Sequence, residues 1–461
     1  MSPAKKEIRM LAATGMLGSG FREESLLRGI GWEPDFIGAD SGSTDPGPYY
    51  LGAGRPQFSR RAYERDLRIL LREAVPRRIP LLIGSAGMAG ADPNVNYLAE
   101  IIRSLAVELG LKFRMALIRS EVDREWLKAK FRTGKVSPLA NAPEMDEGVI
   151  DRSTHIVAMM GHEPFIWALE GGASVVLTGR ASDTSIFAAI PMMHNISPGP
   201  VWHAGKILEC GAAVVTQRTV PDCMFAWVTD DYFIVEPPAL DYRCTPQSVA
   251  SHTLYENADP YRLMEPMGML DTSECSYEAV SDRAVRVTGS KFLKGNTYTL
   301  RLEGAELVGY QAVVLGGVRD PVILEQLEQW VAQVKVAGEA RIKTLFPEVE
   351  KFKLNFRIYG KDGVMGALEP IRKLEGHEAA VVIEVTASTQ DMANAIAGTL
   401  SHFAIHYAVP NWHGLISVLA FPYAPADLVR GPVYQFNMNH VVHVDDEAEL
   451  QRVFPVTFES L

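Results

Sequence analysis

Apolar and polar positions alternate in one repeated theme over the first ~190 residues: a short apolar run, a Gly/Ser break, then an amphipathic stretch with helical spacing. Ile8 to Thr14 reads as the first strand, followed by Gly15-Met-Leu-Gly-Ser-Gly20 and a helix near Phe21 to Ile30. Pro34 to Asp40 is the second, with a polar loop and a helix from Ser59 to Val75 behind it. Ile79 to Ile83 leads through Gly84-Ser-Ala-Gly-Met-Ala-Gly90 into a helix over Asn96 to Leu109. Phe113 to Ile118 precedes a charged helix over Val122 to Phe131, and His155 to Met160 and Ser174 to Thr178 are further strands leading into helices. Such alternation predicts an α/β fold, a mostly parallel sheet flanked by helices. In such sheets ligands sit beyond the carboxyl ends of the strands, where these glycine-rich loops fall.

Past residue 200 the pattern turns to strand-like runs separated by turns, as at Tyr277 to Val287 and Thr297 to Leu302, then a helix over Asp320 to Lys343. The remainder reads as strand Ala380 to Val385, helix Gln390 to His406, strand Ile416 to Phe421, strand Tyr434 to Val444, helix Glu447 to Val453 and a terminal strand. This order predicts a smaller C-terminal α+β domain of ferredoxin-like type over 346–461. The α/β domain covers 1–345, with a turn-rich strand segment at 200–310 inside it.

Composition narrows the class. A chain of 461 residues exceeds one ordinary core, so two or three domains are expected. The net charge of −11 disfavours a nucleic-acid partner, which needs basic surface. No apolar run approaches a membrane span, and the basic N-terminus lacks the apolar core of a signal peptide. The four cysteines are widely spaced with no Cys-x-x-Cys, which argues against a disulfide framework or a structural zinc. A cytoplasmic location is the expectation.

The densest chemistry lies in residues 38 to 54, GADSGSTDPGPYYLGAG. Here Asp40, Asp45, Ser43, Thr44 and Tyr49 follow a buried strand on a loop stiffened by Pro46 and Pro48. Gly15-x-x-Gly18-x-Gly20, with Asp40 about 20 residues on, approaches a dinucleotide-binding arrangement, but its glycine order departs from G-x-G-x-x-G. NAD(P) is therefore the weaker alternative. The 84–90 loop, with Ser85 and Gly87, is either a tight turn or an anion cradle. In Gly179-Arg-Ala-Ser-Asp-Thr-Ser185, Asp183 suits a helix N-cap, and Arg180 is expected to meet a substrate carboxylate or a catalytic one. Lys206, Glu209 and Cys210 share one short span: Glu209 is a candidate acid or base, Cys210 a core hydrophobe. His162 opens a helix next to Glu163. His402 and His406, with His413 following, have metal-compatible spacing but apolar neighbours, and read as core histidines.

Several segments resemble the acyclic terpene utilisation (AtuA) family: Leu177-Thr-Gly-Arg-Ala-Ser-Asp-Thr-Ser185, Ala204-Gly-Lys-Ile-Leu-Glu-Cys-Gly-Ala212, Tyr261 to Asp271 with the strand at Val285, and Leu419 to Leu428. The loop from Asp40 to Gly52 departs from that pattern and resembles a distinct subgroup. The resemblance implies an α/β catalytic domain, a lyase-like role, and a small separate α+β or ferredoxin-like partner protein.

The residues suggest a hydratase- or lyase-type enzyme of small carboxylate or acyl catabolism. Asp40, Asp45, Tyr49, Arg180, Asp183 and Glu209 are the expected catalytic groups; Ser43, Thr44, Ser85, Gly87, His162, Ser182 and Lys206 are expected to bind substrate. Oxygen ligands of this kind also suit a divalent metal such as Mg²⁺. A homo-oligomer is expected. The alternatives are a dinucleotide-dependent oxidoreductase and a non-catalytic ligand-binding subunit.

Overall fold

A computed structural model describes residues 6–412 and 417–461. The chain forms two compact units, one running through Glu306 and resuming at Phe436–Leu461, the other Leu307–Gln435. The boundary suggested at 345/346 falls inside the second unit, just after the helix Leu327–Leu345.

The first unit is built on a ten-stranded mixed sheet. Its centre is parallel: Ile8–Ala12, Phe36–Asp40, Leu81–Gly84, Val175–Thr178 and Arg114–Ile118 lie side by side in that order. Parallel strands covered on both faces must be apolar at nearly every position, and these are. Leu11, Ile37, Leu81, Ile83, Met115, Leu117, Val175 and Leu177 pack into one cluster with helices Arg60–Arg77 and Asp92–Leu109. The alternating Met10, Ala12, Phe36, Leu82, Ala116, Ile118 and Val176 pack into the other, with Asp183–Met193 and Pro198–Leu208. Two strand glycines let Asp183–Met193 lie close to the sheet: a Cβ on Gly38 would stand 2.4 Å from the Phe187 ring, and one on Gly84 2.3 Å from the Ile186 side chain. That close approach holds Asp183, at the helix start, near the strand ends.

The sheet is less parallel than the sequence suggested. Met224–Val228, Tyr232–Glu236, Val285–Thr288 and Ser276–Ala279 extend it antiparallel beyond Ile8–Ala12. The C-terminal strand Val456–Ser460 pairs antiparallel with Arg114–Ile118 at the other edge, so it belongs to this unit. The expected strand at 155–160 is Ser153–Ala158; it leaves the main sheet and pairs with the first part of Tyr298–Val318. The loop at 38–54 contains a short helix, Pro48–Ala53, which the prolines had masked.

In the second unit the later part of Tyr298–Val318 pairs antiparallel with Ala379–Ala387, which pairs in turn with Phe352–Tyr359. Helices Leu327–Leu345 and Gln390–Ile405 bury Trp330, Val334, Ile396 and Leu400 in its core. His402 is exposed on the outer face of that last helix and His406 is exposed at its C-terminal cap, so the core reading was wrong. His413 and the start of the strand expected at Ile416 lie outside the described residues. Among the described residues no helix is long and apolar enough to cross a membrane.

Candidate active site

Five loops leave the carboxyl ends of the parallel strands in the first unit, and they carry different loads. In the first, Gly18 and Gly20 donate their backbone N–H groups to Asp66 Oδ2 at 2.7 and 3.1 Å. Asp66 comes from helix Arg60–Arg77 and is buried. An internal carboxylate thus takes the donors that a dinucleotide phosphate would need, and the loop is a structural turn.

The chemistry gathers around Arg180, which is buried at 4% exposure. Its Nε donates to Glu303 Oε2 at 2.9 Å; Nη1 donates to Asp183 Oδ1 at 3.0 Å, Ser85 Oγ at 3.1 Å and the Ala181 carbonyl at 2.7 Å. Its backbone N–H donates to Ser120 Oγ. Arg180 therefore meets carboxylates of the protein itself. Burial alone would raise Glu303, but Arg180 and then Arg301 outweigh it and hold this carboxyl below its usual value. Burial would likewise lower Arg180, yet Glu303 and Asp183 raise it, so its charge is fixed.

Asp40 ends the strand Phe36–Asp40, buried at 5% exposure. Oδ2 accepts the Gly42 N–H at 3.2 Å, whereas Oδ1 is buried without a hydrogen-bond partner. Burial, then the Asp183 charge, push its carboxyl well above the usual range despite Arg180. Asp183 is raised too, by burial first, against the pull of Arg180. Its side chain keeps 29% exposure although protein desolvates it, as expected for a group on the wall of a cleft.

Lys206 donates to Glu209 Oε1 at 2.6 Å. Within this pair Glu209 is the titrating member. Burial, with Asp183 and Glu265 adding repulsion, pushes it up to about 8, while Glu209 keeps Lys206 charged against its burial. Glu265 accepts from Ser182 Oγ at 2.6 Å and from Thr184 Oγ1, and burial raises it to about 7. Four carboxyls (Asp40, Asp183, Glu209 and Glu265) thus influence one another beside Arg180 and Lys206, and Glu303 joins them through Arg180. With too few cations to balance them, such a cluster retains protons near neutrality.

The other expected site residues are placed as follows. Ser43 Oγ donates to Asp45 Oδ2 at 2.6 Å; Asp45 is exposed and Thr44 buried. The Asp45 charge acts on Asp183, so this loop borders the cluster. Tyr49 is half-buried on the helix Pro48–Ala53, edge-on to Tyr50. Gly87 donates its N–H to Ser41 Oγ. Buried His162 caps helix Glu163–Glu170 and meets Trp202 edge-on at 5.6 Å. Its Nδ1 lies 3.5 Å from Glu163 Oε2 without hydrogen-bond geometry, and burial lowers its pKa. Burial raises the Cys210 thiol, which disfavours the reactive thiolate, although the residue is only partly buried and not the full core position the sequence suggested. Among the described residues no group of three or more His, Cys, Asp or Glu is disposed to hold a metal.

Glu265 and Glu303 were not anticipated. Glu303 had a signal, a carboxylate in an apolar strand (Leu300-Arg-Leu-Glu-Gly-Ala305); Glu265 lay in the Tyr261–Asp271 segment with nothing to mark it as buried.

The raised carboxyls give stability a sign with pH. Glu209 and Glu265 bind protons more tightly folded than unfolded, so their contribution is full below the unfolded pKa near 4.5 and is lost as pH rises through about 7 to 8. The melting temperature should fall from pH 5.5 to pH 9. Glu209→Gln, neutral throughout, should flatten that slope; a wild-type curve that rises over this range would contradict it.

The arrangement defines an α/β protein with a proton-holding, carboxyl-rich site beyond the strand ends of a partly parallel sheet. The chain belongs to the acyclic terpene utilisation family: the family described as "Acyclic terpene utilisation family protein AtuA" matches residues 33–220 and 229–432. Comparison with curated proteins and with solved structures returned no match. Family membership suggests a role in acyclic terpene utilisation.

Proposed function

We propose that the chain is an acid/base enzyme of the hydro-lyase type, acting on a carboxylate or acyl compound. The observation that carries this is the pairing of Asp40, whose Oδ1 is buried and unbonded, with Glu209, whose carboxyl burial pushes up to about 8 in the same electrostatic cluster. Acid/base catalysis requires two titrating groups with unlike partners, and here Glu209 is held by Lys206 while Asp40 Oδ1 has no partner. Asp40 as carboxylate takes the proton on the carbon next to the carbonyl. The electron pair forms the double bond, the C–O bond at the neighbouring carbon breaks, and Glu209 gives its proton to the departing hydroxide, releasing water. Addition runs the same steps in reverse, and solvent exchange restores both groups. Arg180 keeps Asp183 and Glu303 in place and supplies the positive field under developing charge. Ser43, Thr44 and Asp45 on the bordering loop select the substrate. The family points to branched acyclic bodies.

The second unit, with strand, helix, two strands, helix, strand in chain order, supports a ferredoxin-like reading of that part.

The test is incubation in D₂O with a panel of branched and linear hydroxy acids, enoic acids and their thioesters, read by NMR for deuterium at the α-carbon. Exchange with at least one member is the expected result. A folded protein that exchanges none of them sinks the reading.

A further inference from the structure

The second unit holds a cavity of about 680 Å³. Its lining comes from the end of the strand Tyr298–Val318 and the helices after it, and from the connection between Phe352–Tyr359 and Ala379–Ala387. Pro321, Leu324, Leu327 and Leu374 give it an apolar wall. Arg319, Arg372, Lys373 and Lys361 supply cations. Lys361 is neutralised by its ion pair with Glu328. The other three have no ion-pair partner among the described residues; Arg372 donates only to the Ala367 carbonyl. Glu325 is the remaining carboxylate on the lining, so three unpaired cations face one anion. In a protein of net charge −11, gathering uncompensated cations about one concavity opposes the overall trend.

We infer that this cavity is a second ligand site, for a small molecule carrying a phosphate or diphosphate head on an apolar body. Three cations from two segments suit a polyanion better than a single carboxylate, and the two arginines can each offer a paired donor fork to phosphate oxygens. The leucine wall gives the body of the ligand an apolar surface to cover. The inference does not rest on the acid/base reading of the strand-end site.

The experiment is isothermal titration of the full chain with inorganic pyrophosphate and with a short alkyl diphosphate. Both should bind, the alkyl compound more tightly, and binding should weaken as NaCl rises from about 50 to 200 mM. Arg372→Ala/Lys373→Ala and Arg319→Ala should each weaken it at least ~10-fold. Glu325→Gln, which removes the repelling carboxylate, should tighten it. Lys353→Ala, an exposed lysine on the neighbouring strand outside the lining, should leave it unchanged. Absence of binding by both compounds, or equal affinity in the double variant and in Lys353→Ala, would overturn the assignment. Equal affinity for pyrophosphate and the alkyl compound would overturn the part played by the apolar wall.

Discussion

Arg180→Met should lower the stability of the first unit by about 3 to 5 kcal/mol, measured by denaturant unfolding followed by circular dichroism. The side chain is 4% exposed and holds Glu303, itself 3% exposed, together with Asp183. Removing the guanidinium strands a buried carboxylate that Arg180, more than Arg301, holds ionised. Methionine fills much of the volume, so the loss reports electrostatics more than a cavity. Arg180→Lys should fall in between, since one ammonium cannot reach Glu303, Asp183 and Ser85 with the fork geometry. Adding Glu303→Leu to Arg180→Met should recover part of the loss, because deleting a whole buried pair costs less than orphaning one member. A single-variant loss under about 1 kcal/mol would show that the pair contributes little.

The double variant also separates what the sequence shows from what it hides. The parallel strands were legible because burial on both faces leaves apolar runs such as Leu81-Leu-Ile-Gly84, and the breaks after them are rich in glycine and serine. That logic also brought Asp40, Ser85, Arg180 and Asp183 to one edge of the sheet. It stopped at contacts made across long separations. Nothing local says that Glu303 reaches Arg180, 123 positions away, or that Glu265 accepts from Ser182 and Thr184. Val456–Ser460 reads as a strand, but its partner Arg114–Ile118 is set by the fold of the whole unit. The first glycine loop shows the reverse failure, where a local pattern suited a phosphate and a distant Asp66 took its place. Helical spacing with apolar neighbours put His402 and His406 in the core, and the reading failed because spacing gives a stripe without saying which way it faces.

Asp40→Asn should cut α-proton exchange by about 100- to 10,000-fold, the range for loss of a positioned acid or base. The same change should leave stability unaltered or improved. Asp40 sits in the repulsive field of Asp183 and Glu209, so neutralising it relieves strain, and asparagine can still accept the Gly42 N–H. Stability and turnover thus move apart here, whereas Arg180→Met lowers both. The pH profile supplies a readout that a structural role would not move. Wild-type exchange should fall as pH drops and Asp40 takes up a proton, at a value above the usual aspartate range because burial raises it. It should fall again on the alkaline side as Glu209 ionises near 8. Glu209→Gln should abolish the alkaline limb in whatever turnover survives and spare the acidic one. Unchanged exchange in Asp40→Asn would remove Asp40 as the base, and Asp45, exposed and hydrogen-bonded to Ser43 at the edge of the same cluster, would inherit the role.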